Sequence, residues 1–145
     1  MLGVSSEEAR EPTEGAGYAV ATLGGLGEGY GFRKIRSQLG VTEFGVNAIV
    51  IPAGIESGFH MHERQQELYF VHSGTVEIEF EDGAVHVLGP GGLARVDAPT
   101  ARLVRNRGPE DAVYLVVGAE AGYVGRDGKL PEGEDGRVRP IPEGE

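Results

Sequence analysis

Residues Gly54–Gly74 read GIESGFHMHERQQELYFVHSG, and this stretch decides the fold. His60 and His62 are two apart, so in an extended chain both imidazoles project from one face. Gln65 and Gln66 sit in a bend, and Glu67 then opens an apolar run, Leu68–Val71. Two neutral imidazoles and one carboxylate form a three-ligand set for a mid-series divalent cation, with coordination positions open for substrate or oxygen. The spacing also fits two exposed strand histidines and a solvated glutamate, and by itself leaves both readings open.

Outward from this stretch the chain reads as one short strand after another. The expected strands are 18–23, 32–39, 42–51, 59–62, 67–72, 75–80, 84–88, 93–96, 101–105 and 112–117, with a weak helical signal at 33–39. The breaks between them are turn chemistry: Pro52-Ala53-Gly54, Ser73-Gly74, Asp82-Gly83, Gly89-Pro90-Gly91-Gly92 and Arg107-Gly108-Pro109. Asp82-Gly83 suits a two-residue hairpin turn with positive φ. About ten short strands at regular spacing imply an all-β sandwich or barrel. Val46, Ala48, Val50, Tyr69, Val71, Val76, Ile78, Leu115 and Val117 are the expected lining and core. The glycine-rich segment 24–31 does not fit a phosphate loop, because no strand-turn-helix unit follows it.

Composition narrows the function classes. The 145 residues suit one domain, and 25 glycines with eight prolines favour tight turns over long helices. A net charge of −10 argues against a nucleic-acid partner or an anionic membrane surface. Without cysteine there is no thiolate metal site and no cysteine nucleophile. No signal-peptide pattern or membrane-length apolar run is seen, so the expected compartment is the cytoplasm. Residues 1–15 are expected to form a flexible arm, 16–124 the barrel, and 125–145 a loosely packed Gly/Pro/acidic tail, with a tail laid across the barrel or a partner subunit as the alternative.

The run resembles the first motif of the cupin superfamily, G-x5-H-x-H-x3–4-E-x6-G, which Gly54, His60, His62, Glu67 and Gly74 match throughout. The resemblance implies a double-stranded β-helix (jelly-roll) barrel of the small single-domain type. A divalent transition metal (Fe, Mn, Ni, Zn or Cu) would sit on His60, His62 and Glu67, and a homodimer is implied too. The second motif, G-x5-P-x-G-x2-H-x3-N, is half present. Gly91 and Asn106 match its ends, Asp97 and Pro99 replace its proline and second glycine, and Arg102 stands where the fourth ligand, histidine, belongs.

A guanidinium has no lone pair to give a metal. Arg102 is therefore expected either to swing away or bind an anionic substrate beside a three-ligand metal, or to form a bidentate ion pair with Glu67 in place of it. His72 lies five residues from Glu67 and faces the other way, nothing aims His86 at the site, and Gln66 is at most a weak oxygen donor.

Two main functions follow. One is a metal-dependent enzyme, by resemblance a dioxygenase (an oxidoreductase) or an isomerase, on a small organic substrate. Here Arg102 clamps a carboxylate and Tyr69 touches the ligand. The other is a metal-free binding barrel in which Arg102 neutralises Glu67. A third, metal-free isomerisation with His60 or His62 as base and Tyr69 as acid, leaves Glu67 without a task.

Overall fold

A computed structural model describes residues 12–125, 127–132 and 137–143. Thr13–Gly15 (β1) and Tyr18–Val20 (β2) form a hairpin, followed by a 3₁₀ turn at Leu23–Leu26 whose N-terminus Thr22 caps. Then come Gly31–Arg33 (β3), a short helix Ile35–Leu39 (α1), Gly45–Ile51 (β4), Ile55–Glu56 (β5), Met61–His62 (β6) and Gln66–Ser73 (β7). Val76–Phe80 (β8), Val85–Leu88 (β9), Leu93–Val96 (β10), Arg102–Asn106 (β11) and Ala112–Ala119 (β12) follow where strands are expected, whereas the expected strand 32–39 ends at Arg33 and gives way to α1, in line with its weak helical signal. Gly128–Lys129 (β13) and Arg139–Pro140 (β14) lie beyond β12.

Two five-stranded sheets, in the orders β10-β7-β12-β4-β3 and β14-β5-β11-β8-β9, face one another, with β1-β2 and β13-β6 as separate pairs. Every pairing is antiparallel. The core between the sheets draws Ile51, Tyr69, Val71, Val96, Ala112 and Tyr114 from one, and Val76, Ile78 and Val104 from the other. This is the all-β sandwich that the turn spacing implies, and the jelly roll that the resemblance implies.

Cross-strand register corrects the expected lining on two strands. Directly opposed residues share a face. Tyr114 lies opposite Val71 and Ile49, and Ala112 opposite Ile51, so these point inward. Val46, Ala48, Val50, Leu115 and Val117 therefore lie on the opposite face from the inter-sheet core, where Val46 and Ala48 are buried as expected and α1 packs against β4. Both faces of β4 and β12 are apolar, so alternation could not choose between them.

The C-terminal segment is not wholly the loose tail expected. Arg139 and Pro140 pair with Glu56 and Ile55, the Arg139 Nε donates to Glu56 Oε2 at 2.7 Å, and Ile141 N donates to Gly54 O at 2.9 Å. Glu56 is 1% exposed and also lies beside Arg105, so its charge is held between two guanidiniums. The expected arm, residues 1–15, lies outside the described residues up to residue 11, and Thr13–Gly15 is strand.

Gly74 shows how tightly the turns are built. Its φ is +72°, and an added Cβ would lie 2.6 Å from the Asp111 carbonyl oxygen and 2.7 Å from Ala112 Cα. Gly74→Ala is expected to cost about 2 kcal/mol or more, from the left-handed conformation plus displaced β12 backbone. That corresponds to a melting temperature lower by about 4–8 °C. Thermal unfolding of the variant measures it, and an unchanged midpoint would contradict the packing of the Ser73-Gly74 turn against β12.

Candidate metal centre

The three motif residues converge. The ligating atoms of His60, His62 and Glu67 all lie within 4.8 Å of one another. His60 and Arg102 form an isolated antiparallel bridge, with His60 N donating to Arg102 O at 3.0 Å and Arg102 N to His60 O at 2.9 Å. His62 is fixed from the other side by β13, where Gly128 opposes it. Glu67 enters from β7, whose alternation sends Glu67, Tyr69 and Val71 inward and Gln66, Leu68, Phe70 and His72 out.

Each ligand candidate is held by a partner. The His60 ring hydrogen-bonds the Gly58 backbone. His62 Nδ1 donates to Asp127 Oδ1 at 2.7 Å, which leaves Nε2 facing Glu67 Oε2 at 3.1 Å. The Tyr69 hydroxyl donates to Glu67 Oε1 at 2.9 Å, and its ring stacks on Tyr114 with centroids 6.0 Å apart. Outer partners of this kind orient metal-binding side chains. Two imidazoles and an anionic carboxylate, all pre-oriented, fit a divalent transition metal.

The charges agree with this geometry. Burial, with help from the Arg102 charge, keeps His60 below its ordinary pKa, so it favours the neutral form a ligand needs. Burial also pulls His62 down, but the hydrogen bonds and charge of Glu67 and Asp127 outweigh it and raise it. Burial would raise Glu67, yet the His62 contact, Arg102 and Tyr69 hold it below the usual carboxylate range. Tyr69 is raised well above 10, first by burial and then by Glu67, so its phenol stays protonated. In the metal-free protein the two imidazoles should titrate on opposite sides of 6.5, His60 below and His62 above. Ring-carbon NMR shifts followed against pH test this, and the reverse order would refute the contacts.

Arg102 stands in the place the second motif gives to histidine, and it is fully buried. Its Nη2 donates to the Asp97 carbonyl at 3.1 Å, while Nε and Nη1 make no hydrogen bond among the described residues. Nη1 lies 3.9 Å from Glu67 Oε1, too far for a hydrogen bond, so the bidentate pair expected as one alternative is not formed. Two buried guanidinium nitrogens without an acceptor are costly unless a ligand satisfies them.

The other candidates fall away from the centre. His72 is exposed, as expected, and His86 is exposed with its ring against Phe80. Gln66 points outward to Asp97 Oδ1 at 2.7 Å and offers nothing to a metal. Its neighbour Gln65, on the Glu67 face, is the one drawn in, donating to Asp127 Oδ1 at 2.5 Å. Strand parity (65 and 67 on one face) carried that signal. Asp127 had none, since it lies 65 residues from His62. No helix among the described residues is long and apolar enough to cross a membrane.

The fold is a jelly roll that gathers two histidines and a glutamate, a group that could hold a metal ion. The Cupin domain family matches residues 47–118, and the chain belongs to the cupin superfamily. Solved structures agree. An uncharacterized conserved protein with a double-stranded β-helix domain from Klebsiella pneumoniae subsp. pneumoniae MGH 78578 is 26% identical, over 62% of this chain and 76% of that one, with a TM-score of 0.56. A cupin protein from Bacteroides fragilis, 20% identical over 73% of this chain and 86% of its own, has a TM-score of 0.60. A DMSP lyase from Ruegeria pomeroyi DSS-3 is 26% identical, with a TM-score of 0.55, over 63% of this chain but only 45% of the lyase. No curated protein shows a significant match.

Proposed function

We propose that this cupin is a divalent-metal enzyme acting on a small organic carboxylate. The observation that carries this is Arg102, a buried cation with two unsatisfied guanidinium nitrogens set beside the His60–His62–Glu67 cluster. Histidine there would add a fourth ligand. Arginine instead adds positive charge and a hydrogen-bond donor, both of which select an anion.

His60, His62 and Glu67 would hold the metal, which supplies Lewis acidity and a template at its open positions. Arg102 binds the substrate carboxylate through Nη1, the guanidinium nitrogen that approaches Glu67. Tyr69 keeps its proton and donates it to Glu67 Oε1, which fixes the carboxylate with Oε2 turned to His62. The reaction, oxygenation or isomerisation, follows from the resemblance, and the likeness to a lyase adds elimination. The homodimer expected from the resemblance would use the outer face of β10 and β7, where Leu93, Phe70 and Leu68 are exposed.

The test is turnover. Untagged protein loaded separately with Fe(II), Mn(II), Ni(II), Zn(II) or Cu(II) is challenged with a panel of small carboxylates and their methyl esters. Product formation by NMR and oxygen uptake are both recorded. Metal-dependent conversion of acids but not of esters is the expected result, and oxygen uptake separates oxygenation from the other two. Equal conversion of esters, or conversion after chelation, would overturn the proposal.

A further inference from the structure

We infer that Asp127 is a positioning residue for His62, so that the C-terminal segment completes the metal centre; this rests on the metal reading above. Asp127 belongs to a piece of chain that returns across the barrel mouth, where Gly128 and Lys129 pair with His62 and Met61. Its side chain is only 8% exposed. Oδ1 accepts from His62 Nδ1 at 2.7 Å and from Gln65 Nε2 at 2.5 Å. Oδ2 accepts from the backbone N–H of Arg64 at 2.8 Å and of Gln65 at 3.0 Å. All the acceptor capacity of one buried carboxylate is thus spent on the β6–β7 turn and one imidazole.

The contact with His62 has a chemical consequence. A carboxylate on Nδ1 holds a proton there, so that when a metal displaces the Nε2 proton shared with Glu67, it is the Nε2 lone pair that is offered to the ion. Gln65 supports the arrangement from the barrel wall. Its Oε1 packs on Gly118, where an added Cβ would collide with it and would also crowd Glu67 Cγ at 3.3 Å. The segment is held independently by an ion pair between Lys129 Nζ and Glu63 Oε1 at 2.5 Å, which touches no ligand candidate.

Asp127→Asn provides the test, because the amide oxygen can still accept from the backbone N–H groups of Arg64 and Gln65 while its NH₂, in the place of Oδ1, turns away the Gln65 side-chain amide, faces Nδ1 and favours the wrong tautomer. Co(II) affinity of the full chain is measured by competition with a chelator, with the Co(II) absorption spectrum and long-range ¹H–¹⁵N imidazole correlations of the Zn(II) form as further readouts. Asp127→Asn is expected to weaken Co(II) binding about 10–100-fold, as loss of an outer-shell partner does, and to lose the His62 Nδ1–H correlation. Lys129→Ala, which loosens the same segment without touching His62, is expected to stay within about threefold of the parent. Equal affinity in Asp127→Asn, or an equal loss in Lys129→Ala, overturns the positioning role while leaving the metal reading intact. A parent that takes up neither Co(II) nor any of Fe(II), Mn(II), Ni(II), Zn(II) and Cu(II) overturns both.

Discussion

The double variant His60→Ala, His62→Ala is expected to lose its metal entirely and keep its barrel. Neither imidazole belongs to the apolar core, which is built by residues such as Ile78, Val71 and Val104. Removing both leaves Glu67 as a single ligand, which cannot hold a transition metal against water. In the parent, metal at about 100 times its dissociation constant adds about 2.7 kcal/mol to stability, since the ion binds the folded chain only. For a chain of this length that is a rise of about 5–10 °C in melting temperature. The variant should show no rise and less than a tenth of the parent's metal per chain by elemental analysis. Retained stoichiometric metal would place the ion elsewhere.

The second large effect concerns Arg102. Arg102→Met is expected to raise KM for the carboxylate substrate about 10–100-fold, the loss of a hydrogen bond to a charged group worth about 1.5–3 kcal/mol. Stability should hold or rise, because a buried guanidinium with two unsatisfied donors is replaced by an apolar chain of similar length. That combination, weaker substrate binding with an equal or higher melting temperature, separates a binding role from a structural one. Arg102→His tests the same position in the opposite sense. It restores the imidazole of the second motif and should tighten metal binding while weakening selection for anions. A variant that lost metal along with the guanidinium would show Arg102 to be part of the ligand scaffold instead.

How far the sequence could be read depended on how local each feature is. His60, His62 and Glu67 lie within eight residues; their spacing left two readings open, and the match to the first cupin motif, Gly54 and Gly74 included, chose between them. Arg102 was legible because the surviving Gly91 and Asn106 fix its register. Asn106 keeps a structural task, its Nδ2 donating to Ile51 O at 3.0 Å and Glu110 O at 2.7 Å while Oδ1 accepts from Gly108 N. The inward face of β4 and β12 was not legible, since Ile49 and Val50, or Tyr114 and Leu115, are equally apolar. Asp127 was hidden for a different reason. It stands among glycines and charges that read as a solvated tail, and only the return of the chain over β6 makes it a partner of His62.

Anomalous X-ray scattering from a crystal of the metal-loaded protein, recorded on both sides of the metal's absorption edge, addresses the central claim directly. One peak bound at once by an imidazole nitrogen of His60, Nε2 of His62 and a carboxylate oxygen of Glu67, at about 2.0–2.2 Å, is the expected result. No peak there, with the Arg102 guanidinium closed onto Glu67 as a bidentate pair, would contradict it and make this a metal-free barrel.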